Sequence, residues 1–72
     1  RGLFEKRVYI AKQMIVKANG KTYTIVGKGP MSQFESFIMP YTYLTWWLGM
    51  PSQKKGKIII FVKEDVDGIH IQ

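Results

Sequence analysis

Apolar and polar side chains alternate on both sides of Asn19-Gly20. A two-residue loop there pairs Ala18 with Lys21, Val16 with Tyr23 and Met14 with Ile25, and the four outer residues are apolar and share one face. The opposite face pairs Lys17 with Thr22, Ile15 with Thr24 and Gln13 with Val26, a mixed and more polar surface. Asn-Gly suits the positive φ angles of a type I′ turn, and register agrees with polarity, as burial of one face requires. The pattern therefore predicts a β-hairpin turning at Asn19-Gly20. Ahead of it, Val8, Tyr9 and Ile10 favour a strand from about Arg7. A helix is the alternative, with Leu3, Phe4, Val8, Ile10, Ala11 and Met14 on one side and Glu5, Lys6, Tyr9, Lys12 and Gln13 opposite.

Gly27-Lys28-Gly29-Pro30 closes the hairpin. Ser32-Gln33-Phe34-Glu35 then has the spacing of a capping box, and Gly49 followed by Pro51 reads as a helix stop. A helix is expected over about 32–48, kinked or broken at Pro40, which removes one helical hydrogen bond. On that helix Phe34, Phe37, Ile38, Tyr41, Leu44 and Leu48 form a core-facing stripe. Met39, Tyr43, Trp46 and Trp47 form a second stripe, too much for so small a domain to cover. The run Lys57-Ile58-Ile59-Ile60-Phe61-Val62-Lys63 is apolar on both faces, which predicts a central strand. Asp67-Gly68 reads as a second turn, pairing Val66 with Ile69 and Asp65 with His70.

The expected class is α+β in β-β-α-β-β order, with room for a further strand or helix ahead. That order, with Met14-Ile15-Val16-Lys17 before a Gly-Lys-Thr turn, resembles the β-grasp arrangement of ubiquitin-like and immunoglobulin-binding domains. The resemblance implies a fold and no function.

Seventy-two residues make a single domain over 1–72, burying only about 60% of its unfolded surface. There is no cysteine, so neither a disulfide nor a cysteine zinc site supports the core, and a reducing, cytoplasmic setting is expected. With 46% apolar and 22% charged residues the chain is expected to fold. A start at Arg1 without an initiator Met points to a piece of a longer chain. No apolar leader follows Arg1. The weakly charged stretch Ser36 to Gln53 is too short, and too interrupted by Pro40 and Pro51, to span a bilayer.

Catalysis finds few candidates. The one His, His70, is expected to pair across strands with Asp65. Asp65-Val66-Asp67-Gly68 resembles the opening of a calcium loop, but the later ligands fall on apolar residues or past Gln72. Gly27-Lys28-Gly29 fails as a phosphate loop because Pro30 removes an amide and no Lys-Ser/Thr pair follows. No enzyme activity, cofactor or metal is expected.

Charge changes the picture. Eleven Lys and Arg face five Asp and Glu, a net +6, which favours a polyanionic partner. The expected function is nucleic-acid binding of the kind made by phages and plasmids. Lys12, Lys17, Lys21, Lys28, Lys54, Lys55 and Lys57 would hold phosphates, and Tyr43, Trp46 and Trp47 would stack on bases. The alternative is a protein-interaction module, an inhibitor or adaptor that pairs an edge strand or docks the Trp46/Trp47 stripe on an acidic partner. Peripheral contact with an anionic membrane and homodimer formation are further expectations.

Overall fold

A computed structural model of the chain describes residues 2–30, 32–33 and 35–72. Helix α1 runs over Leu3–Ala18, strand β1 over Tyr23–Lys28, a single 3-10 turn over Glu35–Phe37, helix α2 over Met39–Trp47, strand β2 over Ile58–Asp65 and strand β3 over Gly68–Ile71. The order is α-β-α-β-β. The three strands form one mixed sheet, β1-β2-β3, with β1 parallel to β2 and β2 antiparallel to β3.

The expected hairpin at Asn19-Gly20, and the strand from Arg7 leading into it, are replaced by α1. Ile10, Met14 and Ala18, with Ala11 beside them, are buried at helical spacing. Val16, which the hairpin would have turned inward, is 69% exposed. The Asn-Gly pair still takes positive φ, 53° at Asn19 and 83° at Gly20. Here that conformation ends a helix: the Asn19 amide donates to the carbonyls of Ile15 and Val16. A left-handed helix cap and a type I′ turn demand the same backbone angles, so the dipeptide signals both.

The helix expected over about 32–48, kinked or broken at Pro40, is broken just ahead of that residue, between the 3-10 turn and α2. Pro40 sits in the first turn of α2, where its missing N–H removes no helical bond. Ser32 and Gln33 lie in a turn, and Phe34 of the expected capping box and core stripe lies outside the described residues. The stop at Gly49 is a Schellman cap. Gly49 takes φ 94°, its amide donates to Trp46 O, and the Met50 amide donates to Thr45 O.

Strand β2 is central, as its apolar run suggests. It pairs Tyr23 with Ile58 through Lys28 with Lys63 on one side, and Val62 with Ile71 through Asp65 with Gly68 on the other. The second turn therefore consists of Val66 and Asp67, one residue before the expected position, so Lys63 and not Asp65 lies directly opposite His70. The Asp67 amide donates to Asp65 Oδ1 at 2.8 Å, an Asx turn that draws the loop back by one residue. The β-β-α-β-β order of a β-grasp is not present, because β1 has no hairpin partner and pairs in parallel with β2.

Both helices pack on one face of the sheet. Ile10, Met14 and Ala18 from α1 and Tyr41 from α2 share a core with Tyr23, Ile25, Ile60 and Val62. The other face carries Val26, Phe61 and an exposed Ile59, so the double apolar character of β2 reflects an open face and not burial on both sides. No helix among the described residues is long and apolar enough to cross a membrane.

The sheet register closes at Gly56, whose amide donates to Thr24 Oγ1 at 2.6 Å. A Cβ at this position would overlap the backbone N, Cα and C of Tyr23, and backbone cannot swing aside as a flexible side chain can. Gly56→Ala is expected to destabilise the domain by at least about 2 kcal/mol, read as a lower denaturation midpoint with an unchanged slope in a urea titration.

Candidate nucleic-acid interface

The parallel pair gives the molecule two distinct ends. At the start of β1 and β2, the Gln53 amide donates to Tyr23 O at 2.8 Å, the Ile58 amide to Thr22 O at 3.1 Å and the Lys57 amide to Thr22 Oγ1 at 2.8 Å. These bonds bring segment 53–58 against segment 21–24. Lys21, Lys54, Lys55 and Lys57 therefore gather at this end, and Lys17 in the last turn of α1 joins them through the tight turn in which the Lys21 amide donates to Ala18 O. All five are exposed.

Four of the five acids lie at the opposite end. Glu64, Asp65 and Asp67 end β2 and open the turn to β3, and Glu5 lines a groove with Ile69 of β3. Both helices run antiparallel to β1 and β2, so their C-termini, with partial negative charge, face the lysine end.

Tyr23 links the basic end to α2. Its ring is buried, and its hydroxyl donates to the carbonyl of Met50 just past the α2 cap. A shallow groove lined by Gly20, Lys21, Thr22, Tyr23, Met50, Pro51 and Gln53 lies there. Across Pro51 it meets a second, open groove of about 430 Å³ lined by Met39, Thr42, Tyr43, Trp46, Pro51 and Ser52. Tyr43 and Trp46 are 58% and 61% exposed, with ring centroids 5.9 Å apart and planes tilted by 39°. Trp47 and Met39 are exposed as well.

Of the lysines singled out in the sequence, Lys17, Lys21, Lys54, Lys55 and Lys57 come together. Lys12 is exposed midway along α1. Lys28 lies at the far end of β1, about 16 Å along the strand at 3.3 Å per residue. Its Nζ sits 4.5 Å from the centroid of the Phe61 ring, on the sheet's outer face. Sequence reasoning did not foresee Pro51, which lines both grooves, or Met50, which lines the first, because nothing in their spacing places them beside Lys21.

A polar cluster was also not foreseen. Arg7 of α1 makes two hydrogen bonds to Glu64 of β2, Nε to Oε2 and Nη2 to Oε1, both 3.1 Å, and the buried Tyr41 of α2 donates its hydroxyl to Glu64 Oε2. Burial alone would raise the Glu64 pKa. The hydrogen bonds from Arg7 and Tyr41, with the charge of Arg7, outweigh it and hold the carboxyl below its ordinary value of 4.5. Burial first, then the hydrogen bond to Glu64, pushes the Tyr41 hydroxyl far up. Donating to the Glu64 carboxylate likewise raises Arg7. His70 Nε2 lies 3.6 Å from Asp65 Oδ1, a diagonal cross-strand contact. No group of three or more potential metal ligands occurs among the described residues.

Comparison with protein families, curated proteins and solved structures returns no match for this chain.

Because the folded pKa of Glu64 is lowered, its contribution to stability is full above 4.5 and is lost as pH falls through the folded value. Glu64→Gln is expected to cost about 1–3 kcal/mol at neutral pH. The two proteins should converge in acid, with Asp65 contributing its own share of pH dependence to both. Urea titrations at a series of pH values check this; a constant difference down to strong acid would contradict it.

Proposed function

We propose that the protein binds nucleic acid through the basic end and the aromatic groove beside it, by phosphate contact and stacking and without reading sequence. The observation that carries this reading is the segregation of charge along the strand axis. Lys17, Lys21, Lys54, Lys55 and Lys57 meet at one end with no acidic side chain among the residues that form it, while Glu64, Asp65 and Asp67 lie at the other, where Arg7, Lys28 and Lys63 offset them. A positive end on a small molecule concentrates phosphates and orients their approach. The exposed rings of Tyr43 and Trp46 across Pro51 supply what lysine lacks, a flat apolar face for a base.

If each of the five lysines neutralises one phosphate, log K should fall with log salt at a slope of about −3.5 on a single strand and about −4.5 on a duplex. Combining Lys54→Ala, Lys55→Ala and Lys57→Ala should flatten that slope by about 2–3. Fluorescence anisotropy with a labelled oligonucleotide measures both. Affinity unchanged between about 50 and 200 mM salt would rule the reading out.

A second reading has its own support. Leu3, 50% exposed, and Phe4, 67% exposed, share a groove with Pro40, Tyr43 and Leu44, so apolar surface runs from the start of α1 along α2 to Trp46. Such a surface suits a protein partner or a second copy of this chain. On this reading the molar mass measured by light scattering rises with concentration, and Phe4→Asp returns it to the monomer value. A monomer at every concentration would remove the homodimer.

A further inference from the structure

The aromatic groove also bears on which form of nucleic acid would be held. Helix α2, Met-Pro-Tyr-Thr-Tyr-Leu-Thr-Trp-Trp, carries no charged side chain. A helix read into a duplex groove places Arg, Lys, Asn or Gln against base edges, with cations on the flanking phosphates. Helix α2 offers two threonines and rings. Its Thr45 is buried with its hydroxyl donated to Tyr41 O, and Thr42 Oγ1 donates to Ile38 O at 3.2 Å. Neither hydroxyl is positioned as a donor to bases.

The rings are suited to another task. Tyr43 and Trp46 are tilted and not stacked face to face, so each keeps a ring face that its neighbour does not cover. In a duplex the base faces are already stacked on one another; an aromatic side chain can take one only when the base is unpaired. Lys21 lines a groove with Met50 and Pro51, and Pro51 also lines the groove of Tyr43 and Trp46, so the basic end and the aromatic groove adjoin there. A backbone tracking along the basic end would therefore deliver its next bases to Tyr43 and Trp46.

Resting on the nucleic-acid reading above, we infer that this surface selects single-stranded nucleic acid over duplex, with Tyr43 and Trp46 as the base-stacking residues. Electrostatics alone would favour the opposite choice, because a duplex presents phosphates at higher density. The preference itself therefore reports on stacking.

Anisotropy at low salt compares three labelled probes of about 12 units, within the range of single-strand sites on small domains: oligothymidine, a duplex of equal length, and an abasic strand that keeps the phosphates and lacks the bases. Oligothymidine should bind at least about tenfold tighter than either of the others. Trp46→Ala and Tyr43→Ala should each remove about tenfold on oligothymidine and leave the abasic strand unaffected. Both rings are more than half exposed, so the variants' thermal melts should match the parent and exclude misfolding. Equal binding of all three probes, or of oligothymidine by the variants, overturns the single-strand inference and leaves nucleic-acid binding standing. Failure of every probe to bind overturns both.

Discussion

The parallel pairing of Tyr23–Lys28 with Ile58–Lys63 is the constraint from which most of the molecule follows. Parallel neighbours cannot be joined by a tight turn; the chain must leave β1 at one end of the sheet and return to the other. Helix α2 is that return. Both strands consequently begin at the same end, where each is entered from a lysine-containing turn. Lys21 precedes β1, and Lys54, Lys55 and Lys57 precede β2. In an antiparallel pair these segments would have stood at opposite ends, and the charge would have been spread. The electrostatic asymmetry of the domain is thus a result of topology as much as of composition.

The same topology gives the Arg7–Glu64–Tyr41 cluster its role. It joins α1, the C-terminal end of β2 and the first turns of α2 at the end remote from the lysines. In a core formed from so few fully buried side chains, apolar packing is tolerant of sliding helices. A two-pronged guanidinium–carboxylate contact with a phenol on the same oxygen is less tolerant, since displacement of any partner leaves a part-buried charge unpaired. The pairs that Lys63 and His70 make with Asp65 are exposed and contribute little by comparison.

How much of this was legible in the sequence differs by element, and the reason is physical in each case. The run Ile58–Val62 could hardly be anything but a strand, and its central place followed. Gly49 as a helix stop and the surplus apolar stripe Met39, Tyr43, Trp46 and Trp47 were also readable, because helical spacing is local information. Asn19-Gly20 misled because the dipeptide specifies positive φ and not what pairs across it. Over Met14 to Ala18 the period-2 and period-3.6 patterns both place Met14 and Ala18 inward; only Val16 separates them, and a lone exposed valine is no anomaly. The meeting of Lys21 with Lys54–Lys57, and of Arg7 with Glu64 and Tyr41, was not readable at all, since each pairs residues far apart in the chain whose types give no hint of a partner.

The exposed aromatic surface is not accounted for by the core. A three-stranded sheet with two helices on one face has one apolar core, and Tyr41 and Leu44 already spend the inner side of α2 on it. Tyr43, Trp46 and Trp47 could have been polar at no cost to that core, and large apolar surface in water is unfavourable in proportion to its area. Stability therefore does not account for them. Trp46 and Trp47 stand in the last turn of α2, which leads to Met50 and the Tyr23 hydroxyl, and Tyr43 lies at its middle, between a groove that reaches Pro51 and another that holds Leu3, Phe4 and Arg7. On the proposed nucleic-acid reading the two parts complement each other, long-range attraction from the lysines and short-range apolar contact from the rings.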